Sequence, residues 1–152
     1  MTNRTYRYAK DEPLYPFGYG LSFADISYDG MEVVKKDTGY DIKLTVKNNS
    51  GIDAVETAEV YISNEDAVSK TGENTGDQPR YSLCGFKAVQ LKAGESKEVI
   101  IGIPESAFDT VLADGRRVKL SGSYRIYAGG QQPDKRSEKL TGKTCLMREV
   151  VI

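Results

Sequence analysis

The stretch Tyr40-Asp41-Ile42-Lys43-Leu44-Thr45-Val46-Lys47 decides the fold class of this chain. Apolar and polar side chains alternate strictly along it, which is the period of a β-strand with one buried and one solvent-exposed face. The turn residues at 48–51 end this strand, and a second alternating strand is predicted at residues 57–63. In that second strand the sequence predicts inward and outward sets, with Ala58, Val60 and Ile62 inward and Glu59 and Tyr61 outward.

Five further strand patterns surround this pair. They occupy residues 23–34, 81–91, 98–103, 117–128 and 144–152, and the turn pairs Asp29-Gly30 and Gly129-Gly130 interrupt or end two of them. Residues 105–111 lack a period of two and are predicted to form one helical turn. About seven short strands, regular turn signals and almost no helix predict an all-β, antiparallel two-sheet sandwich of immunoglobulin or fibronectin type III character.

Single residues within these strands carry structural predictions. Gly85 lies inside a strand and indicates a β-bulge or a close approach of two backbones. Tyr124 occupies the place of a tyrosine corner, in which the hydroxyl bonds to upstream backbone. Arg148 and Glu149 break both alternations of the last strand. The inward face of that strand therefore stays unassigned, and a bulge is predicted there.

Residues 12–23 read Glu12-Pro13-Leu14-Tyr15-Pro16-Phe17-Gly18-Tyr19-Gly20-Leu21-Ser22-Phe23. Two prolines and two glycines exclude a regular helix and interrupt any continuous strand, so the backbone is predicted to be extended and then turned. The segment carries six large apolar or aromatic side chains: Leu14, Tyr15, Phe17, Tyr19, Leu21 and Phe23. Each contributes roughly 1.5–3 kcal/mol to stability when it is buried, so these side chains are expected to lie against protein. We therefore divide the chain into an N-terminal arm at residues 1–23 and a sandwich at residues 24–152.

The N-terminal arm is predicted to dock onto a second domain that lies outside this sequence. Its docking candidates are Tyr15, Pro16, Phe17, Tyr19 and Leu21, and its structural candidates are Gly18 and Gly20. The alternative is that the aromatic rings fold back over their own sandwich. Residues 4–10 alternate in polarity, which permits two interpretations. They either pair at a sheet edge or belong to a preceding part of a longer protein, and we favour the second.

Composition excludes several classes of function. The chain has no histidine, which removes the commonest general base, the base of a Ser or Cys triad and the usual zinc ligand. A formal net charge of −1 gives no electrostatic footprint for nucleic acid or an anionic membrane, and no apolar run is long enough to span a bilayer. No catalytic residue, cofactor site or metal site is predicted. Cys84 and Cys145 lack a framework spacing and are expected to be free thiols.

The motifs of the chain resemble the C-terminal fibronectin type III-like domain of glycoside hydrolase family 3 enzymes, the beta-glucosidases and beta-xylosidases. The run Pro16-Phe17-Gly18-Tyr19-Gly20-Leu21-Ser22 is specific, and weaker pieces extend the match nearly end to end: Arg4-Thr5-Tyr6-Arg7-Tyr8, Leu83-Cys84-Gly85-Phe86-Lys87, Leu91-Lys92-Ala93-Gly94-Glu95-Ser96 and Gly122-Ser123-Tyr124-Arg125-Ile126-Tyr127-Ala128-Gly129-Gly130. Cys84 departs from the lysine that the family often has there.

The resemblance implies a parent enzyme that cleaves terminal beta-linked sugars with retention, using an Asp nucleophile and a Glu acid/base in upstream domains. It implies that this chain is an accessory module without activity of its own, whose partners are the upstream catalytic domains. The long polar segment 63–80 predicts either a solvated loop or one held by a neighbour. As a candidate contact for substrate oligosaccharide, that loop would reach toward the active site of the parent.

Two other functions remain open at the level of sequence. Tyr61 and Tyr127 are predicted to lie on solvent-exposed strand faces, where they either stack on a polysaccharide or form cross-strand partners. The sandwich fold alone also permits an adhesion-type module. Asn3 and Asn48 fit the N-glycosylation pattern, a short motif that recurs by chance.

Overall fold

The computed structural model describes residues 4–152, which form nine strands and three short helices. The helices are α1 (Thr5–Tyr8), α2 (Glu65–Lys70) and α3 (Lys135–Thr141), and a 3-10 turn covers Glu105–Phe108. The strands are β1 (Ile26–Lys36), β2 (Gly39–Asn48), β3 (Ala54–Ser63), β4 (Ser82–Leu91), β5 (Ser96–Pro104), β6 (Asp109–Val111), β7 (Arg117–Lys119), β8 (Ser123–Gly129) and β9 (Leu146–Val151).

The long strands form two antiparallel sheets. A three-stranded sheet has the order β1-β2-β5, a four-stranded sheet has the order β4-β3-β8-β9, and β6 and β7 pair as a separate small ribbon. The predicted all-β two-sheet sandwich is therefore confirmed, with seven long strands. The pattern at 117–128, predicted as one strand, is two strands, β7 and β8, that belong to different sheets.

The core lies between the two sheets and is filled by the alternate residues of each long strand. On β2 these are Ile42, Leu44 and Val46, as the opening stretch predicts, and on β3, β5 and β8 they are Ala58, Val60, Ile62, Val99, Ile101, Ile103, Tyr124, Ile126 and Ala128. The predicted helical turn delivers Phe108 into this core, where its ring packs on Tyr40 and Tyr124. The hydroxyl of Tyr124 donates to the Leu120 carbonyl at 2.8 Å, which is the hydrogen bond of a tyrosine corner.

Gly85 lies at an irregularity where β4 crosses the core. The register of β3 with β4 shifts between Val60 and Tyr61, so that Gly85 pairs with Val60 and Leu83 with Tyr61. A Cβ atom added at Gly85 would lie 2.8 Å from Cγ2 of Ile101, which is closer than packed atoms tolerate. The strand therefore contains both features that its glycine indicates, a bulge and a close approach to the opposite sheet.

The prediction of almost no helix was wrong in two polar segments. Residues 63–80 contain α2, which places acidic residues in its first turn and Lys70 in its last, and which buries Ala67. α3 begins where the Asp134 carboxylate accepts a hydrogen bond from the Ser137 backbone and ends at Gly142 with φ +69°. The cap residues of α3 were readable in the sequence, but neither helix is long enough to show an apolar period of 3.6.

The interpretation of residues 4–10 was also wrong. This segment forms α1 and is bound to the sandwich by three contacts with the start of β4. The Arg80 backbone donates to the Arg7 carbonyl at 2.8 Å, the Arg7 guanidinium donates to the Ser82 hydroxyl at 2.8 Å, and the Tyr6 hydroxyl accepts from the Leu83 backbone at 3.3 Å. Residues 4–10 therefore belong to this domain.

No bulge occurs in the last strand. β9 pairs with β8 in continuous register from Leu146 to Val151. It is an edge strand of the four-stranded sheet, and most of its residues are exposed. The alternation of apolar and polar residues in β9 is irregular because most side chains of this edge strand are in solvent, where burial does not select apolar residues.

Replacing Gly85 by alanine tests the close approach at the bulge. The new methyl group would overlap Ile101 and Ile103 in a packed core, so we expect Gly85→Ala to lower the free energy of unfolding by about 1–3 kcal/mol. Gly20→Ala is the matched control, because nothing lies within 4 Å of its added Cβ. Urea denaturation measures both variants, and equal midpoints for the two would contradict this account of Gly85.

Candidate docking surface

The N-terminal arm crosses the outer face of the four-stranded sheet, the face that points away from the core. Gly18 lies directly over Glu59 of β3, and a Cβ atom added at Gly18 would be 3.0 Å from the Glu59 carboxylate. Upstream of Gly18 the ring of Phe17 stacks on that of Tyr6, with centroids 4.4 Å apart. Because the Tyr6 hydroxyl is bonded to β4, this ring pair fastens the arm to the sheet.

The prediction that Tyr61 is exposed to solvent was wrong. The side chain of Tyr61 lies on the outward side of β3, as the alternation indicates, yet it is fully buried. Its hydroxyl donates to Oε2 of Glu59 at 2.7 Å. Burial, followed by the hydrogen bond to the neighbouring carboxylate, raises the pKa of Tyr61. Sequence periodicity places a residue on one face of a sheet but contains no information about a distant segment that covers that face.

Glu59 is half-buried under the same cover and was wrongly assigned to a solvent-exposed face. Burial raises the pKa of its carboxyl group, and the hydrogen bond from Tyr61 offsets only part of that shift. Asp41 and Glu98, which were assigned to solvent with it, lie on the three-stranded sheet, where Glu98 is exposed and Asp41 forms an ion pair with Lys36 at 3.5 Å.

The arm turns sharply at Gly18. The Tyr19 backbone donates to the Pro16 carbonyl at 3.1 Å, which closes a four-residue turn, and Gly18 has φ +78° at the third position. A positive φ at this position is typical of a type II turn and favours glycine. Gly20 has no such requirement, because its backbone is not in the left-handed region and nothing lies near its Cβ position.

Helix α3 binds the arm at Glu12 and Leu14. The guanidinium of Arg136 donates from Nε and Nη2 to the Leu14 carbonyl at 3.2 and 3.1 Å. It also contacts the Glu12 carboxylate at 3.4 Å, and Lys139 approaches that carboxylate to 3.7 Å. Exposed ion pairs of this kind contribute little free energy, so their effect is mainly to fix the position of the arm.

The docking candidates divide between two sides of the arm. Pro16 is buried and Tyr19 is half-buried, so these two residues pack on their own sandwich. The exposed fractions are 68% for Tyr15, 45% for Phe17 and 89% for Leu21. Leu14 and Phe23 are also exposed large apolar residues. The alternative that the arm folds back over its own sandwich therefore holds for Pro16 and Tyr19, whereas Tyr15, Phe17 and Leu21 keep large parts of their side chains exposed.

The segment 63–80 is folded back onto the sandwich. The Arg125 guanidinium binds the Asp66 carboxylate at 2.9 Å, and the Ala113 backbone donates to the Asn74 carbonyl at 3.0 Å. Gln78 donates from its amide to the Val111 carbonyl at 2.8 Å. A cavity of about 540 Å³ separates this segment from α1 and the 3-10 turn, with Cys84 among its lining residues. The middle of the segment, residues 72–77, is largely exposed, as are Glu65, Ser69, Lys70 and Arg80.

The residues proposed for polysaccharide binding or glycosylation are engaged within the fold. Tyr61 and Tyr127 are directly opposite cross-strand partners, and Tyr61 has no exposed ring face. Asn48 is fully buried, and its amide nitrogen donates to the Ile52 and Lys92 carbonyls at 2.7 and 3.1 Å. It is therefore not available to a glycan. Asn3 lies outside the described residues.

The two cysteines are half-buried thiols. Cys84 and Cys145 are free thiols, and burial raises the pKa of each to about 12, which opposes formation of a nucleophilic thiolate. Within residues 4–152, no group of three or more Cys, Asp or Glu side chains is placed to bind a metal ion. No helix in that same range is long and apolar enough to cross a membrane.

The fold and its covered sheet define a fibronectin-type sandwich carrying an N-terminal extension. The model of the fibronectin type III-like domain family matches residues 56–132, and the chain belongs to that family. The match confirms the domain family expected from the sequence motifs.

The relatives are glycosidases. A xylan 1,4-beta-xylosidase of Xylanibacter ruminicola is 31% identical over 144 residues, which are 93% of this chain and 16% of that protein. An exo-alpha-(1->6)-L-arabinopyranosidase of Bifidobacterium longum is 42% identical over 97 residues, 62% of this chain and 12% of that protein. The crystal structure of a GH3 beta-glucosidase of Bifidobacterium adolescentis superposes with a TM-score of 0.71 at 30% identity, covering 91% of this chain and 18% of that one. The chain thus spans less than a fifth of the length of each of these relatives.

Replacing Glu59 by glutamine tests the cover over the four-stranded sheet. Since burial raises the pKa of Glu59, its contribution to stability is fully present below the unfolded pKa, near 4.5, and is lost as the pH rises through the folded pKa. Removing the charge should therefore raise the urea midpoint at pH 7 and leave it nearly unchanged at pH 4. The control is Glu98→Gln, which changes an exposed carboxylate. A lower midpoint for Glu59→Gln at pH 7 would show that the ionised carboxylate stabilises the covered face.

Proposed function

We propose that this chain is a non-catalytic accessory domain at the C-terminal end of a glycoside hydrolase family 3 beta-glycosidase. The observation that carries the proposal is the asymmetry of the match to the relatives. Nearly the whole of this chain aligns with a xylosidase of which it represents only 16%. The active site of such an enzyme then belongs to the remaining, much larger part, and this domain stabilises that part by packing against it.

The arrangement of carboxylates supports a non-catalytic role. Retaining glycosidases need two carboxyl groups about 5–5.5 Å apart across a cleft that holds a sugar. Asp41 and Glu98 lie on an open sheet face at different positions along their strands, because the partner of Asp41 is Gly102 and that of Glu98 is Thr45. Glu59 is covered by the arm and bonded to Tyr61. None of the three meets the requirement for a catalytic pair.

In this proposal the catalytic domains pack against the exposed side of the N-terminal arm. Interfaces between domains of one chain commonly bury about 600–1,500 Å² and are partly apolar. Phe17 stacks on Tyr6 and Tyr15 stacks on Tyr19, with centroids 4.4 and 5.2 Å apart, and each ring still has one side in water. Leu21 adds a branched side chain that is 89% exposed. Their backbone is held by the turn at Gly18 and by Arg136, so the surface is presented in one orientation.

The double variant Tyr15→Ser, Leu21→Ser in the full-length enzyme tests this contact. Both side chains are largely exposed, and the ring contact that is lost is the stack of Tyr15 on Tyr19, so we expect the urea midpoint of the isolated chain to change little. In the full-length enzyme, loss of their burial should cost about 2–5 kcal/mol of domain-docking free energy and lower the melting temperature measured by calorimetry.

The matched control for the double variant is Val151→Ser, an exposed apolar residue on β9. The isolated chain is also expected to bind a hydrophobic dye at the arm and to release no nitrophenol from aryl beta-glycosides. Equal melting temperatures for the double variant and the control would exclude docking through the arm, and hydrolysis by the purified chain would exclude the accessory role.

The segment 63–80 supports a narrower proposal, that its exposed middle contacts substrate oligosaccharide at the active site of the parent. Asp66, Asn74 and Gln78 are bonded to the sandwich, so the part that can reach a neighbour is the exposed side of residues 72–77. Glu73 lies there, with an exposed ion pair to Arg116 at 3.8 Å. Because α2 lies inside this segment and buries Ala67, a deletion would disturb the core, and an exposed substitution is the cleaner probe.

Glu73→Ala in the full-length enzyme is that probe. If the segment contacts the sugar beyond the first subsite, losing one polar contact of roughly 1 kcal/mol should change the ratio of kcat/KM for an oligosaccharide to kcat/KM for an aryl glycoside by about fivefold. Glu149→Ala on β9 controls for the loss of one exposed charge. If Glu73→Ala leaves this ratio of kcat/KM values unchanged, the segment does not contact the substrate and the proposal fails.

A further inference from the structure

The outer faces of the two sheets differ in chemistry. On the three-stranded sheet, the outward positions of β2 are Asp41, Lys43, Thr45 and Lys47, the polar set expected of a face in water. On the four-stranded sheet, the outward positions of β3 and β4 next to Glu59 are Val55, Thr57, Phe86 and Ala88, and we call these four residues the outer patch. The exposed polar side chain of Gln90, opposite Val55, bounds the patch. Val55 is 65% exposed and Phe86 is 69% exposed.

The outer patch lies beside the arm. Phe86 is the cross-strand partner of Glu59, and the Glu59 carboxylate lies against Gly18. Directly opposite side chains in an antiparallel pair have Cβ atoms about 4.5–5.5 Å apart, so the Phe86 ring borders the arm at its turn. At the other end of the patch, Val55 lines the same groove of about 480 Å³ as Tyr19 and Leu21. Exposed apolar side chains of β3 and β4 therefore lie beside the arm at two places, Phe86 near the turn at Gly18 and Val55 at the groove lined by Tyr19 and Leu21.

We propose that the outer patch is the second half of the interdomain interface, and that its occupant is the catalytic region that precedes the arm in the same polypeptide. This inference rests on the proposed function. The described chain enters the domain at α1, which is bonded to the start of β4, the strand that carries Phe86 and Ala88. A domain attached ahead of α1 is therefore tethered at the four-stranded sheet. More than four-fifths of the length of the matched relatives lies outside this chain, which provides a partner large enough to cover it.

Because the catalytic region is covalently attached to this domain through the arm, a small patch is sufficient for stable docking. Stable association of two separate proteins buries about 1,200–2,000 Å² in total, which four side chains and an arm do not supply. A partner tethered through the arm binds as an intramolecular event at high effective concentration, so a smaller surface is enough. A second copy of the chain has no such tether, and we therefore assign the patch to the preceding region.

Hydroxyl-radical footprinting of Phe86 tests the outer patch, because the label reports water access to each side chain. The oxidation rates of Phe86 and Tyr15 are compared between this chain alone and the full-length enzyme. We expect both rates to fall by about fivefold or more in the full-length enzyme, as for rings at the water-excluded centre of an interface. Ile100, an exposed residue on the three-stranded sheet, is the reference whose rate should stay equal.

The outcomes separate this inference from the proposed function. Protection of Phe86 together with Tyr15 supports the outer patch. Protection of Tyr15 with unchanged oxidation of Phe86 overturns the outer patch and leaves docking by the arm in place. Unchanged oxidation of both rings overturns both proposals. Concentration-dependent protection of Phe86 in the chain alone, with a dimer in sedimentation, assigns the patch to a second copy and overturns the inference.

A pair of variants gives an independent measurement in the full-length enzyme. Phe86→Ser should increase oxidation of Tyr15 and lower the melting temperature, whereas Ile100→Ser, which also removes an exposed apolar side chain from a strand, should change neither. Both substitutions lie outside the core, so the chain alone should keep its urea midpoint in each. Equal behaviour of the two variants in the full-length enzyme would overturn the outer patch.

Discussion

The contact of the N-terminal arm with Glu59 and Tyr61 is the constraint on which the outer side of this domain depends. A phenol and a carboxylate on the outward face of a sheet would normally be in water. Here the turn at Gly18 lies on the carboxylate, and the phenol donates its hydrogen bond to that same group. A polar group can be buried only when it is hydrogen-bonded, so the pair and its cover are a single unit.

That unit makes the arm a part of the folded domain with an inner and an outer side. Pro16 and Tyr19 pack inward, while Tyr15 and Leu21 project to solvent. Hydrogen bonds from Arg136 and the ring contact between Tyr6 and Phe17 limit the orientations that the arm can adopt. An interface that is ordered before it forms loses less conformational entropy on docking, which favours a stable contact between domains. The docking surface that we propose on the arm is therefore held in place by the fold before any contact forms.

The sandwich beneath supplies the rigidity that such a surface requires. The two sheets approach closely where Gly85 faces Ile101, and the corner hydrogen bond of Tyr124 fixes the entry of β8. The short helices lie around the four-stranded sheet and fasten its connections, α1 at the start of β4 and α2 against Arg125 of β8. A fold of this kind hosts many functions, so its role depends on which surface is presented and to what partner.

The sequence by itself determined the sandwich, because the strict alternation of β2 and the weaker alternation of β3 and β5 each mark one face for burial. It also determined the bulge at Gly85 and the corner at Tyr124, since glycine and tyrosine at those places satisfy local geometric needs. It did not determine α2 and α3, whose six and seven residues are too few to show a helical period. Only the tertiary structure decided that Tyr61 is buried and that Phe86 borders the arm, because a covering segment some forty residues away leaves no trace in the alternation of a strand.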